Sequence, residues 1–258
     1  MVPQHELAER RKAMKRSGGE FQEELLGVVG KVMWEQPHAL TEFYLHHMSR
    51  DGARVYALEH CVFADLFPRW FGNIVGNCPH LDARQYMIEN MYVEEVNDPT
   101  IQAGHYESLV DFAVALGSER DFVYNYKGAI YTRMANAYWD WASRSMSWLE
   151  AFAAVGGIEM SKSPEVAARY GMSQLVGGGR WKNLDLPGKA LTHWDAADQA
   201  DLPQGGHSDE TANLLVKYAD TEEKQDAVLK ILEESLEVHR FRHQQIGLEA
   251  IAASKGAA

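Results

Sequence analysis

The 258-residue chain carries 37 acidic against 25 basic side chains, a net charge of −12. That balance argues against nucleic acid or an anionic membrane as the main partner, since both need a basic face. An apolar fraction of 46% is enough for one full core, and two cysteines, Cys61 and Cys78, without CxxC spacing exclude a disulfide framework. The expected setting is therefore reducing and cytoplasmic. Met1 to Lys15 is charged and polar, unlike a signal peptide, and no apolar run is long enough to span a bilayer.

Periodicity is helical nearly throughout. His5 to Arg16 reads as a peripheral helix, which divides the chain into 1–18 and a main helical domain, 19–258. Phe21, Leu25, Val28, Val29 and Val32 follow at i, i+3, i+4 spacing until Pro37 breaks the run. A helix is expected over Ala39 to Met48, a turn at Asp51-Gly52, and one long buried helix from Ala53 to Asn77, stopped by Cys78-Pro79. Asp82 is the expected N-cap of a helix from Ala83 to Val96. Asn97-Asp98-Pro99 interrupts, and helix returns from Ile101 to Leu116. Glu119 to Arg144 is aromatic-rich; Met146 to Val176 is alanine-rich and expected to break at Gly156-Gly157 and ease at Pro164. Gly177-Gly178-Gly179 is a loop, the segment Leu191 to Ala219 follows, and Thr221-Glu222-Glu223 opens a long final helix to Ala253. No strand-like alternation and no repeat interrupts this pattern, so the fold class is all-α, a single-domain bundle.

The chemistry concentrates in Thr192 to Glu210, where two histidines and five acidic residues fall within nineteen positions. Histidine with carboxylate is the ligand set of an iron site that keeps positions open. On a straight helix His193 and His207 would stand about 21 Å apart at ~1.5 Å per residue. Either the segment Asp201 to Gly206, with Pro203 and Gly205-Gly206, folds back, or only one of the two is a ligand. Further inward candidates are Glu94 and Glu95, His105 and Glu159, with one of Asp195, Asp198 or Asp201. Glu159 lies among Gly157, Ile158 and Met160, where a carboxylate is costly unless paired or bound. His239 and His243, at i, i+4 beside Arg240 and Arg242, read as a solvated face, as does His46-His47. Cys61 and Cys78 read as small core residues. The Tyr and Trp cluster from Tyr124 to Trp148 reads as core, or as a pocket wall with Lys127, Arg133 or Arg144 for a carboxylate-bearing substrate.

The runs Tyr56-Ala57-Leu58-Glu59, Phe67-Pro68-Arg69, Asn77-Cys78-Pro79, Ala83-Arg84 and Asn90-Met91-Tyr92-Val93-Glu94-Glu95 resemble the haem-oxygenase-like superfamily. The tail from Asn213 to Ile246, with Tyr218-Ala219-Asp220-Thr221, is similar too. The resemblance implies a seven-helix bundle around one central pocket. Its non-haem diiron branch carries a Glu and a His on one core helix, a Glu on a second, and His-x-x-x-Asp-x-x-His on a third. Glu95, His105 and Glu159 match the first two, and His193 opens the third. The chain departs there: Ala197 and Ala200 stand where Asp and His are expected. An insertion restores the pattern, with Asp198 on a π-bulge and His207 as the second histidine; Asp201 is the fallback, and Glu59 or Asp65 a further candidate. The implied cofactor is two Fe(II) ions per chain, the second site labile. The implied activity is O2-dependent oxidation of a small, amino-acid-derived or fatty-acid substrate by N-oxygenation, desaturation or oxidative C–C cleavage, within a biosynthetic pathway. Partners are then the substrate and O2, with an external electron donor and a homodimer left open. The alternatives are a metal-free enzyme of the same fold, hydrolase or cofactorless oxidase, using His105, Glu159 and His193 as acid–base groups, and a non-enzymatic small-molecule binder.

Overall fold

A computed structural model describes residues 16–96, 104–201 and 206–256, and all the regular structure among them is helical. The N-terminal helix expected over His5 to Arg16 lies outside the described residues, Arg16 excepted. Helix α1 (Gly18–Met33) starts where Ser17 and Glu20 form a reciprocal capping box, and it buries Phe21, Leu25, Val29 and Val32. Helix α2 (Ala39–His46) is capped by His38, whose Nδ1 accepts from the Thr41 amide at 3.3 Å. The expected turn at Asp51-Gly52 is instead the first turn of α3 (Arg50–Ala64), because Ser49 supplies the cap. The long helix expected from Ala53 to Asn77 is two helices, α3 and α4 (Phe67–Asn77). Pro68 sits in the first turn of α4, where its missing N–H costs nothing.

The N-cap position of helix α5 (Leu81–Glu95) falls on His80, which makes no side-chain cap bond, and not on Asp82; Asp82 lies within the first turn and takes the ammonium of Lys217 at 2.7 Å. Helices α6 (His105–Ala115), α7 (Arg120–Asn125) and α8 (Ile130–Ser145) follow, the aromatic-rich stretch being split at Tyr126–Ala129. Helix α9 (Trp148–Met160) runs unbroken through Gly156-Gly157, and nearly every residue of it is buried. The glycines there permit close packing: a Cβ on Gly157 would stand 2.4 Å from Leu232 Cδ1. Short α10 (Pro164–Arg169) leads into three 3-10 turns over Ser173–Leu175, Gly178–Leu184 and Gly188–Leu191. Helices α11 (Thr192–Asp201), α12 (His207–Tyr218) and α13 (Glu222–Gly256) complete the chain.

Helix α13, 35 residues long, is the spine: α9, α2, α3 and α1 all pack along it. A buried relay ties three helices together, Trp139 Nε1 donating to Ser235 Oγ at 2.9 Å and Ser235 Oγ to the Ala154 carbonyl at 2.5 Å. The closest crossing is at Gly247, where a Cβ would lie 2.0 Å from Leu40 N and 2.1 Å from Ala39 C. Those are backbone atoms and cannot rotate away, so Gly247→Ala should lower stability by about 3 kcal/mol, the upper end of overpacking costs. Gly27→Ala, an exposed helical position with nothing within 4 Å of the new Cβ, should stabilise by about 0.5–1 kcal/mol. Urea midpoints of the two variants test the contrast; an unchanged Gly247→Ala midpoint refutes the contact.

Two apolar clusters build the core. One centres on Phe21, Trp70, Phe152 and Leu232, the other on Phe43, Phe112, Trp181 and Ile246. Polar side chains collect between them.

Candidate metal centre and adjoining cavity

A small cavity of about 40 Å³ lies in this seam, lined by His60, Phe63, Ala64, Phe67, Glu94, His105, Glu159, Lys162, His193, Ala197 and His207. Four of the six residues expected as ligands from the sequence, His105, Glu159, His193 and His207, therefore face one space. His193 and His207 both line it because they stand on two separate helices, α11 and α12, rather than on one straight one. Glu95 is not on this wall; it is exposed, and its neighbour Glu94 turns inward in its place. On a helix the two differ by about 100° in direction, so only one can face the core. Asp198 also points elsewhere. Its Oδ1 accepts the Gly178 amide at 2.7 Å, closing the glycine loop onto α11, and it lines a neighbouring cavity. No π-bulge brings it round, and Ala197 fills its place on the wall.

Of the fallback carboxylates, Asp195 is exposed, and the Asp201 side chain lies outside the described residues. Glu59 is buried but structural: its carboxylate accepts the Ala129 amide at 3.0 Å and the Tyr126 hydroxyl. Asp65 pairs with Arg69 at the surface.

The donors are held by specific bonds. His105 Nδ1 lies 3.1 Å from Glu94 Oε1, and Glu159 Oε2 lies 2.9 Å from Lys162 Nζ. Burial pushes the Glu94 carboxyl up, but the His105 hydrogen bond and the charges of His105 and Lys162 outweigh it and leave the group below its ordinary range. Ser108 Oγ donates to the His105 carbonyl at 2.8 Å and sits 3.1 Å from His193 Nδ1. His193 Nδ1 is also 3.2 Å from that carbonyl, which can only accept, so Nδ1 carries the proton and Nε2 the lone pair. Burial, reinforced by the charge of His105, lowers the His193 pKa to about 3 and keeps the ring neutral. A neutral imidazole whose far nitrogen is fixed by a carbonyl is the form that binds metals.

His60, Lys162 and Ser108 had not stood out in the sequence. Each follows a recognised residue at helical spacing: His60 lies four after Tyr56, Lys162 three after Glu159, Ser108 three after His105. His60 Nδ1 is buried without a hydrogen-bond partner, and burial together with the charge of Arg242 holds the ring well below its ordinary pKa. The Tyr-rich wall expected near Tyr124 to Trp148 does not face this space, and Lys127, Arg133 and Arg144 are exposed. His239 and His243 depart from the solvated face expected of them; α13 turns both inward.

Among the described residues no three His, Cys, Asp or Glu side chains converge in ready metal-binding geometry. The donor set nevertheless fits iron in kind: carboxylates, neutral imidazoles and the orphaned His60 nitrogen around one buried space. Binding would exchange the Glu94–His105 and Glu159–Lys162 pairs for bonds to the ion.

The all-α bundle is of the haem-oxygenase-like class. A family model described as an iron-containing redox enzyme matches residues 54–240, and the chain belongs to that family. Among solved structures it is similar to a haem-oxygenase-fold domain of unknown function from Shewanella denitrificans, at 15% identity over 92% of this chain and 94% of that one, TM-score 0.68. A TenA homologue from Pseudomonas syringae pv. tomato is 12% identical over 92% and 99%, TM-score 0.63. A CADD-like protein of unknown function from Nostoc punctiforme is 13% identical over 89% and 98%, TM-score 0.64. At such identities these likenesses establish the fold alone. No curated protein sequence matches the chain. No helix among the described residues is long and apolar enough to cross a membrane.

Proposed function

We propose that this protein is a non-haem diiron oxidase or oxygenase acting on a small substrate, within a biosynthetic pathway. The observation that carries the reading is the convergence of Glu94, His105, Glu159, His193 and His207, from five helices, on one buried space. Those five would hold the metal, with His60 as a further nitrogen donor. Fe(II), when bound, supplies the electrons with which O2 is reduced.

The chain's own residues prepare for this. The His105 carbonyl and Ser108 fix the His193 ring so that Nε2 keeps its lone pair. Lys162 neutralises Glu159 in a setting where a bare carboxylate would be expensive to bury. Phe63, Phe67 and Ala64 give one side of the same space an apolar lining. The absence of a carboxylate at position 197 leaves one side of the donor set short, which supports unequal filling of the two metal positions.

Anaerobic titration with Fe(II), followed by O2, tests the proposal. The expected result is one to two irons bound per chain and an optical transient on oxygenation. Less than one iron per chain, with no transient, overturns it.

A second reading has its own observation in its favour. Both carboxylates on the wall are already paired, Glu94 with His105 and Glu159 with Lys162, as acid–base partners would be. In a metal-free enzyme these pairs would move protons directly. Full turnover after exhaustive chelation would favour it.

A further inference from the structure

Beside the small cavity lies a larger one of about 130 Å³. The two share His60, Phe63, Lys162, His193 and Ala197, so they adjoin. By the measure of about 10–15 Å³ for each water-sized group, the larger one takes a ligand of roughly ten heavy atoms. Its body is aromatic and apolar, with Tyr44, Tyr56, Phe63, Trp34 and Trp194 on the wall.

Arg180 lines this cavity from the 3-10 turn after the triple-glycine loop. The guanidinium is held by its Nη1, which donates to the Leu175 carbonyl at 2.8 Å and to the Gly177 carbonyl. It lies 4.9 Å from the Tyr44 ring centre and 5.5 Å from that of Trp194. Among the described residues no carboxylate pairs with it, and its Nε is buried without a partner. Asp198, on the same wall, is engaged with the Gly178 amide. Lys162 is committed to Glu159. The imidazoles on the wall, His38, His239 and His243, are kept neutral by burial. Arg180 therefore faces the chamber with no carboxylate paired to it, although Asp198 stands on the same wall, and a half-buried guanidinium with an unpartnered N–H is a group that receives a planar carboxylate.

We propose that the larger cavity is the substrate site, that its ligand is a small carboxylic acid with an apolar or aromatic body, and that Arg180 holds the carboxylate. That the ligand is the substrate rests on the oxidase reading above; the carboxylate site itself stands on residues that need no metal. With the head at Arg180, the body of the ligand lies toward the shared wall of His60, Phe63 and His193.

The test uses metal-free protein and matched ligand pairs, phenylacetate against phenylacetamide and hexanoate against hexanamide. Binding is followed by quenching of Trp fluorescence and by thermal shift. The acid of each pair should bind at least about tenfold more tightly than its amide, the difference a charged hydrogen bond confers. Arg180→Gln should abolish that preference while leaving amide binding, and Arg180→Lys should keep part of it. Equal binding of acid and amide, no binding of either acid up to millimolar concentration, or an undiminished preference in Arg180→Gln each overturns the proposal. Should Arg180→Gln fail to fold, the wild-type acid-to-amide ratio and the Arg180→Lys variant still decide. Acid binding with failed iron loading sinks the oxidase alone; iron loading with no acid preference sinks this site alone.

Discussion

Acidification from pH 7 to pH 5 should unfold the metal-free protein or bring it close to unfolding. Five imidazoles are held below their ordinary pKa by burial. His38 falls to about 4 and His193 to about 3, while His60, His239 and His243 lie well below the usual value. The charges of neighbouring cations and histidines push the same way, Arg242 acting on His60, His239 and His243.

The sign follows from proton counts. In the unfolded chain these rings titrate near ~6.5, so below that pH the unfolded state binds more protons than the folded one. Their neutral burial is fully compatible with folding above pH ~6.5, and stability is lost as pH falls from there toward each folded pKa. Each ring contributes a slope of up to about 1.4 kcal/mol per pH unit, and five together up to about 7. Against a total stability of about 5–15 kcal/mol that is decisive within one or two pH units. Local opening that lets one ring protonate early reduces the slope, so uptake of at least about three protons on unfolding is the expected figure. Urea midpoints measured at half-unit steps between pH 7 and pH 5 give it directly. A flat profile would mean these rings are not buried neutral. His38→Gln and His243→Gln, both on the larger cavity and apart from the expected iron ligands, should each remove about one proton from the slope.

Iron affinity should separate two adjacent glutamates. Glu94→Ala should weaken Fe(II) binding by about a hundredfold or more, as loss of a ligand does, whereas Glu95→Ala should leave it within about twofold. Glu94 lines the small cavity and bonds His105; Glu95 is exposed. His193→Ala belongs with Glu94→Ala. Ser108→Ala, which removes only the hydroxyl beside His193 Nδ1, should cost about tenfold, the usual effect of an outer partner. Asp198→Ala should leave iron binding nearly intact and loosen the glycine loop, because the lost carboxylate is the acceptor of the Gly178 amide. Equilibrium competition against a chromogenic chelator, at fixed pH, ranks the five variants. If Glu95→Ala and Glu94→Ala change places, the helical phase assigned to α5 is wrong.

Acid sensitivity and iron affinity depend on the same feature of the molecule. Histidines that are cheap to bury neutral at pH 7 become expensive below it, and neutral imidazoles are also the ones with lone pairs to give. A ligand in the cavity or a metal in the seam would be bound by the folded state alone, so either would steepen resistance to acid.

The amino-acid sequence by itself determined the helical class, some helix starts and the kinds of residue at the candidate centre. Helix starts are written in local chemistry: Ser17 with Glu20, and Ser147 with Glu150, need no distant partner to be read. His105, Glu159, His193 and His207 stood out as inward candidates by residue type, and the resemblance to the haem-oxygenase-like superfamily singled them out as a set. What only the tertiary structure decided was direction. Glu94 or Glu95 is a choice of one residue in α5, whose hydrophobic pattern is too weak to fix its phase, and Ala197 or Asp198 is the same choice on α11. Neighbouring helices fix it instead, by the bond from Glu94 to His105 and by the Gly178 amide that claims Asp198. The inward turn of His239 and His243 was hidden for the same reason. They stand among arginines in the chain, but the arginines find backbone carbonyls to bond, Arg242 at Glu59 and Arg240 at Val32 and Gln36. Composition is local, whereas the side of a helix that meets the core is settled by everything packed around it.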